Sequence, residues 1–315
     1  MDSSKKQRWF NKTMINNYNF ANFFKKANFF SLSLFSLSIF FIIFKGLNYG
    51  IDFKGGTLIE LRVADQNISI SDVRSSFKNM ELGDINVKEF GKKGDYLIKI
   101  EQTSAQNINL IPELKENINK NLQSEVNFRR VENVGPKVSS ELLESGLIAI
   151  SLSLAAMLFY IWIRFEWQFS IGSIVALFHD VIITIGVFSI LSFEINLSII
   201  AAVLTIVGYS MNDTVVIYDR IRENLNKYSK MNIVEIANLS INETLSRTII
   251  TSVTTLLALT SIFILGGEIL KGFSFAMILG VIIGTYSSIF VASPILKYFK
   301  VSYKTLEKKE EKILP

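Results

Sequence analysis

The chain has 315 residues, of which 49% are apolar, and a formal net charge of +5. The apolar residues are grouped into long blocks, which indicates a membrane protein rather than the two soluble domains that the length alone would suggest. With no cysteine and a single histidine, the chain offers no disulfide framework, no cysteine-based metal site and no site built from several histidines.

The distribution of positive charge argues against a nucleic-acid partner. Residues 1–27 carry six Lys or Arg against one Asp, a net charge of +5, whereas residues 45–143 carry fourteen basic and fourteen acidic residues. Lys and Arg concentrated beside an apolar span are a topology signal, whereas nucleic-acid binding needs basic residues that neutralise phosphates. We therefore expect a membrane-embedded chain that binds no nucleic acid.

Six segments are long and apolar enough to span a membrane. They lie at about 29–44, 145–163, 169–192, 197–218, 248–266 and 273–299. The first follows a basic segment, as the core of a signal peptide does. The residues after it, Lys45-Gly-Leu-Asn-Tyr-Gly50, contain no small-x-small cleavage site, so we expect an uncleaved anchor.

The short loops between the spans differ in their content of Lys and Arg. The N-terminal segment, the turn at Arg164, the hairpin that contains Arg220 and the C-terminal tail are basic, whereas the opposite short loops offer only Lys271. Because basic loops remain in the cytoplasm, both termini are predicted to be cytoplasmic. The predicted organisation is a cytoplasmic segment 1–27, a first span 28–45, an external domain 46–143, a bundle of five spans 144–300 and a cytoplasmic tail 301–315.

The external segment has the patterns of a folded domain. Ser71 is a candidate N-cap for a first helix, and a second helix is predicted over about 106–122. Together with the strands, these helices give a β-α-β-β-α-β order, which is that of the ferredoxin-like split βαβ fold; another small α+β domain is the alternative. The predicted strands cover 57–63, 84–90, 95–100 and about 126–132.

The fourth span carries a carboxylate, Asp213, inside its apolar length. A carboxylate at the centre of a spanning helix costs about 2.5–3.5 kcal/mol on translocon scales, so it usually faces a partner or a water-filled path and serves function. The alternative is a position near the interface, where Asp213 would be hydrated beside Asp219 and Arg220. We favour the buried, functional interpretation.

Asp213 and Arg247 are predicted to lie at the same depth. They are 34 residues apart, and the midpoint of that interval, Lys230, falls in the polar hairpin between the fourth and fifth spans. A carboxylate and a guanidinium at matched depth could pair and partly offset each other's desolvation. The pair is either a structural link between two helices or an ion-coupling site, in which Asp213 titrates because arginine does not release its proton.

Other polar and small residues lie within the spans. His179 and Asp180 form either a proton relay or a structural hydrogen-bonded pair. Helices in lipid associate through close packing of small residues, so we expect the small-residue seams to face protein or water. The seams are Ser198, Ala201, Thr205, Gly208 and Asn212 in the fourth span, Arg247, Thr251, Thr254, Ala258 and Ser261 in the fifth, and Ala276, Gly280, Gly284 and Ser288 in the sixth.

The sequence contains no nucleophile–base set, phosphate-binding loop or cluster of metal ligands, so we expect no enzymatic activity, no cofactor and no metal. The motif Gly50-Ile-Asp-Phe-Lys-Gly-Gly56 lacks the Walker pattern. Gly50, Asp52, Gly55 and Gly56 are instead expected to form a tight hinge between the first span and the first strand. Energy would come from an ion gradient or from a partner.

Several motifs together resemble the SecF family, the smaller half of bacterial SecD–SecF protein-export complexes. The motif Gly50-Ile-Asp-Phe-Lys-Gly-Gly-Thr57 after the first span is similar to the hallmark of that family. The resemblance covers roughly residues 28–300. Further matching motifs are Val131-Glu-Asn-Val-Gly-Pro136, Ala176-Leu-Phe-His-Asp180, Gly208-Tyr-Ser-Met-Asn-Asp-Thr-Val-Val-Ile-Tyr-Asp-Arg220 and Asn242-Glu-Thr-Leu-Ser-Arg-Thr-Ile-Ile-Thr-Ser252.

The resemblance implies a six-span half of a resistance–nodulation–division (RND) type transporter in the bacterial inner membrane, with a ferredoxin-like periplasmic domain. Such proteins act with SecD beside the SecYEG channel, with YajC and YidC as further partners, and use a proton or sodium gradient to draw preproteins outward. The family's conduction aspartate falls on Asp213 and its essential arginine on Arg247. Two alternatives stay open: a scaffold that only stabilises SecD and SecYEG, and an exporter of small molecules or lipids.

Overall fold

The structure, a computed structural model, describes residues 18–65, 67–77, 85–100, 110–122 and 124–310. The predicted cytoplasmic segment 1–27 therefore falls largely outside the described residues. The strands are β1 (Asn48–Tyr49), β2 (Gly56–Val63), β3 (Ile85–Glu89), β4 (Asp95–Ile100), β5 (Val126–Val134) and β6 (Glu194–Ile195). The helices are α1 (Phe24–Phe44), α2 (Ile51–Lys54), α3 (Ile70–Ser75), α4 (Leu110–Leu122), α5 (Pro136–Arg164), α6 (Trp167–Leu191), α7 (Leu197–Lys227), α8 (Ile233–Leu265), α9 (Glu268–Ser287), α10 (Ser293–Tyr298) and α11 (Tyr303–Glu310).

Six of the described helices have the length and hydropathy of membrane spans, as the sequence predicts. They are α1, α5, α6, α7, α8 and the unit formed by α9 and α10, which a π-helical segment, Ser288–Ala292, joins. About half of the most apolar stretch is buried in α6, α7 and α9–α10, against 11–17% in α1, α5 and α8. The first three therefore form the centre of the bundle, and the other three lie around it.

Local sequence signals explain where several membrane helices begin. Gly135 precedes α5 in an extended conformation, and Pro136 occupies the first helical turn, where its missing N–H costs no hydrogen bond. Asn196 caps α7 by accepting a hydrogen bond from the backbone N–H of Ile199 at 3.2 Å. Asn232 caps α8 in the same way, with the N–H of Glu235 at 2.9 Å. Two asparagines thus fix the starts of α7 and α8.

The domain between α1 and α5, called the sheet domain below, is a four-stranded antiparallel sheet with the strand order β3-β4-β2-β5. Helix α3 follows β2 and α4 follows β4, so the chain has the β-α-β-β-α-β order and the strand arrangement of the ferredoxin-like fold. One face of the sheet packs against both helices. The core there consists of Ile59, Leu61, Val63, Val73, Phe77, Val87, Tyr96, Ile98, Ile100, Leu114, Ile118 and Val126.

The bounds of the domain's elements differ from the predicted ones by a few residues. Strands β2 and β4 match the predicted bounds closely. The predicted cap of α3 was wrong: Ser69 rather than Ser71 caps the helix, because Ser69 and Asp72 form a capping box in which each side chain binds the other's backbone N–H. The predicted helix over 106–122 is observed over Leu110–Leu122, and residues 106–109 lie outside the described part of the chain.

A small junction links the domain to the membrane helices. Strand β1, which follows α1, pairs in parallel with β6, which precedes α7. The backbone N–H of Gly50 donates to the carbonyl oxygen of Ile195 at 2.8 Å, and Lys99 of the sheet forms an ion pair with Glu194. The side of the domain nearest the bundle is therefore tied directly to the loop between α6 and α7.

Candidate functional site

Asp213 lies near the middle of α7 and is buried, with 3% of the residue exposed. Its carboxylate oxygen Oδ2 accepts one long hydrogen bond, 3.5 Å, from the hydroxyl of Thr285 on α9. Thr285 also shares a 2.7 Å hydrogen bond with Ser252 on α8. The position is that of a carboxylate inside the bundle, although its hydrogen bonding is weak for a buried charge.

Arg247 lies on α8 and is exposed. Among the ion pairs of the described residues, none joins Arg247 to Asp213, so the direct pairing considered from the sequence is not formed. The guanidinium is nevertheless close enough to act on Asp213 electrostatically. Matched depth places two residues at one level of the bundle, but contact also requires both side chains to point between the helices, and Arg247 points outward.

Two of the predicted seams carry residues that the described part of the chain leaves exposed. We call these residues the open face. Small and hydroxyl-bearing side chains gain little from lipid, whereas they allow another helix to approach closely. The sequence predicts protein or water against these seams, and the described part of the chain supplies no cover for them. The open face consists of Ala201, Thr205 and Asn212 on α7, and Arg247, Thr254, Ala258 and Ser261 on α8.

Asp180 is the second buried carboxylate and lies on α6, with none of the residue exposed. Its oxygen Oδ2 accepts hydrogen bonds from the hydroxyls of Ser210 at 2.5 Å and Ser287 at 2.7 Å. Its other oxygen lies 2.9 Å from Nδ1 of His179. Because Ser210 belongs to α7 and Ser287 to α9, Asp180 links the three central helices.

His179 is buried next to Asp180, with its ring stacked near Phe35 of α1 at 6.4 Å and near Tyr286 at 6.5 Å between ring centroids. Its Nε2 atom has no hydrogen-bond partner among the described residues. A relay would need a second polar neighbour, so the contacts favour the structural alternative. A relay role for His179 and Asp180 stays a prediction.

The seam of the last span packs as the sequence predicts. Ala276 and Ser288 are fully buried. A Cβ atom added to Gly280 would overlap the side chain of Ile206, and one added to Gly284 would lie 2.9 Å from Cβ of Ser210. The glycines therefore let α9 approach α7 more closely than any other residue would allow.

The residues of the predicted hinge, Gly50–Gly56, which we call the hinge motif, lie next to the start of α7. Gly55 and Gly56 have φ angles of +80° and +134°, which glycine adopts without strain. A Cβ atom on Gly50 would lie 2.6 Å from Oε1 of Glu194. Asp52 accepts a hydrogen bond from the backbone N–H of Leu197 at 2.8 Å. The motif is thus a packed joint, although its role as a moving hinge stays a prediction.

Sequence reasoning did not identify Ser210, Ser287 or Thr285, the hydroxyl donors to the two carboxylates. The doublet Ser287-Ser288 was a usable signal in the sequence, because hydroxyl groups inside an apolar helix gain little from lipid. In the structure, Ser288 is the first residue of a π-helical segment, Ser288–Ala292. Such segments are frequent at functional sites. Within the described residues, no group of three or more His, Cys, Asp or Glu could hold a metal ion.

Comparisons with known proteins find relatives over most of the chain. The family description "Protein export membrane protein SecD/SecF, C-terminal" matches residues 114–302, and "SecD/SecF GG Motif" matches residues 40–66, which include the hinge motif. The protein translocase subunit SecF of Rickettsia rickettsii is 45% identical over 92% of this chain and 96% of its own length. The subunit of Cereibacter sphaeroides is 44% identical over 86% of each chain.

A solved structure shows the same fold. The crystal structure of SecDF, a translocon-associated membrane protein from Thermus thermophilus, is 35% identical in sequence and superposes with a TM-score of 0.81. The match covers 90% of this chain but 38% of the SecDF chain. A second structure, of SecDF in a super-membrane-facing form, gives a TM-score of 0.67 at 34% identity and covers 93% of this chain and 40% of its own.

Proposed function

This chain belongs to the SecD/SecF family of protein-export membrane proteins, and we propose that it uses an ion gradient to help drive the late translocation of preproteins across the bacterial inner membrane. In this proposal it is a multi-pass, non-enzymatic subunit of the Sec machinery. Asp213 binds and releases the coupling ion, a proton or sodium, and Arg247 keeps a permanent positive charge beside it.

The observation that supports the proposal is the environment of Asp213. The carboxylate is buried among membrane helices, yet it has one 3.5 Å hydrogen bond and no ion pair among the described residues. A charge held so weakly in apolar surroundings is costly, and neutralising it by protonation removes that cost. A change in protonation would therefore alter the preferred packing around α7.

The energy scale is suitable for coupling. One elementary charge that crosses a membrane potential of 100 mV releases about 2.3 kcal/mol. A carboxylate at the centre of a spanning helix costs about 2.5–3.5 kcal/mol. The two quantities are of the same order, so an ion gradient can shift the balance between the charged and neutral states of Asp213.

A SecD subunit is the proposed cover for the open face. The SecDF chain from Thermus thermophilus is more than twice as long as this chain, and most of it lies outside the part that this chain matches. A partner half that packs on the open face would enclose Arg247 and place its own groups opposite Asp213. The SecYEG channel, YajC, YidC and the preprotein are further proposed partners.

The proposed orientation follows from charge. Arg164 at the end of α5 pairs with Asp219 near the end of α7, so these ends lie on one side of the bundle, opposite the sheet domain. With the basic side in the cytoplasm by the positive-inside rule, both termini are cytoplasmic and the sheet domain is periplasmic.

The test is complementation of a SecF-depleted bacterial strain with Asp213→Asn, scored by export of a secreted reporter and by the cellular level of SecD. We expect export to fall at least tenfold while SecD stays at its normal level. Asp219→Asn is the matched control, because Asp219 lies on the same helix but pairs with Arg164 at the surface, with 43% of its side chain exposed.

Other outcomes would favour the alternatives. Normal export with Asp213→Asn, or with Asp213 and Arg247 exchanged, would contradict ion coupling and leave a scaffold. Loss of SecD together with export would show that the substitution acts through complex stability instead.

A further inference from the structure

We propose that Asp52 is the positioning residue that transmits movement of α7 to the sheet domain. The inference rests on the proposed function, because it assumes that Asp213 alters the position of α7. Asp52 binds the start of α7 and makes no hydrogen bond to Asp213 among the described residues, so the proposed role is mechanical.

The contact joins two parts of the chain that are 145 residues apart. Oδ2 of Asp52 accepts the backbone N–H of Leu197, the first residue of α7, at 2.8 Å. The first N–H groups of a helix have no partner within the helix, and the positive end of the helix dipole attracts a carboxylate. Asp52 therefore completes the N-terminus of α7 in a way that no residue of α7 does.

On the other side, Asp52 is fixed to the sheet domain. It lies in α2, a single turn that leads through Gly55 directly into β2, the strand hydrogen-bonded to both β4 and β5. The next residue, Phe53, is buried in a cluster with Ile195, Ile199 and Ile206. A displacement at the start of α7 would therefore reach the centre of the sheet through one short segment.

Helix α7 is long enough to connect the ion site to this contact. It runs without interruption from Leu197 to Lys227 and includes Asp213. Asp213 lies sixteen positions after Leu197 in the helix, which corresponds to roughly 24 Å at 1.5 Å per residue. Because an uninterrupted helix moves nearly as a rigid rod, a shift caused at Asp213 appears at Leu197.

The neighbouring contacts make Asp52 the informative residue to change. Pairing of β1 with β6 and the bond from Gly50 to Ile195 use backbone atoms, so substitution removes neither. Lys99 and Glu194 contribute an additional, partly buried ion pair at the junction. Asn196 also binds this helix N-terminus, through the N–H of Ile199, but it adjoins α7 in sequence and does not connect it to β2. Asp52 binds the N-terminus from the segment that leads into the sheet.

The experiment uses the complete complex with SecD and SecYEG in proteoliposomes, and it measures ion flux and preprotein export in the same preparation. For Asp52→Ala we expect ion flux within twofold of the unmodified protein and export at least tenfold lower. Asp52→Asn should recover part of the export, because its amide oxygen still accepts the hydrogen bond. Asp213→Asn should lose both activities.

Asp72→Ala is the matched control. Asp72 also completes a helix N-terminus, accepting the N–H of Ser69 at 3.0 Å, but that contact lies wholly within the sheet domain. Its substitution should leave flux and export within twofold. Unchanged export with Asp52→Ala, or equal loss of flux and export, would overturn the role of Asp52. Unchanged flux with Asp213→Asn would overturn the proposed function instead.

A structural measurement covers the case in which Asp52→Ala accumulates poorly. The chain contains no cysteine, so a pair of introduced cysteines can be spin-labelled without background. Lys92→Cys in the sheet domain and Leu265→Cys at the end of α8 are exposed positions. We expect one narrow distance distribution in the complete chain and a distribution at least twice as wide with Asp52→Ala. Asp52→Asn should give an intermediate width, because its amide oxygen still accepts the hydrogen bond. An unchanged width would overturn the inference.

Discussion

Asp180 and Asp213 are carboxylates buried in one helix bundle, but their surroundings differ. Asp180 accepts two short hydroxyl hydrogen bonds and contacts His179, whereas Asp213 has a single hydrogen bond of 3.5 Å. Asp180 lies where the three central helices meet. Asp213 lies on α7 beside the open face.

The difference separates a carboxylate that holds helices together from one that is free to change state. A buried carboxylate with short hydrogen bonds to both oxygens is held in one arrangement, whereas a weakly bonded carboxylate carries a cost that a second state can relieve. Asp180 is therefore suited to stabilising the contact between the three central helices. The weakly bonded carboxylate is suited to coupling, provided that a partner encloses the open face.

Substitution of each carboxylate by alanine should give the largest contrast. We expect Asp180→Ala to lower the free energy of unfolding by about 3–5 kcal/mol, because Ser210, Ser287 and His179 would lose their common partner inside the bundle. Asp213→Ala should lower it by about 1 kcal/mol or less, because it removes one long hydrogen bond.

The free energies can be measured by titrating the purified chain with a denaturing detergent and following circular dichroism. Asp180→Asn serves as a control, since its amide oxygen still accepts a hydrogen bond and should recover part of the loss. Equal losses for the two alanine variants would remove the distinction between the carboxylates.

Two glycine substitutions should give a smaller contrast in the free energy of unfolding, because one glycine packs against a neighbouring helix and the other has open space beside it. Gly280→Ala should destabilise the chain by about 1–3 kcal/mol, because the added methyl group would overlap buried Ile206 and force α9 away from α7. Gly208→Ala is the control on α7: no heavy atom lies within 4 Å of its added Cβ, and alanine favours the helix. If both variants unfold at the same detergent concentration, α7 and α9 are not closely packed.

The sequence predicted the features that depend on local pattern. Six spans, the β-α-β-β-α-β order and the close packing of Gly280 and Gly284 are present in the structure. These predictions use only length, alternation and small-residue spacing. The N-cap at Ser69 was misplaced to Ser71 because both serines precede an acidic residue, and side-chain geometry chose between them.

The relation between Asp213 and Arg247 could not be predicted from the same information. Counting residues from a hairpin gives depth, but it does not give the rotation of each helix about its axis. A membrane helix that is apolar on nearly all sides has little pattern from which to read that rotation. For the same reason, the sequence did not show that Ser210 and Ser287 face Asp180.

The exposed position of Arg247 leads to the smallest expected effect on stability. In the isolated chain, Arg247→Ala should change the free energy of unfolding by no more than about 0.5 kcal/mol, because the side chain is exposed and has no ion pair among the described residues. In the complex with SecD, the same substitution should lower ion-driven export at least tenfold. Arg247→Lys keeps the charge and should retain part of that export. A loss of 2 kcal/mol or more in the isolated chain would instead make Arg247 a structural residue of this subunit, and the open face would no longer mark where the coupling site is completed.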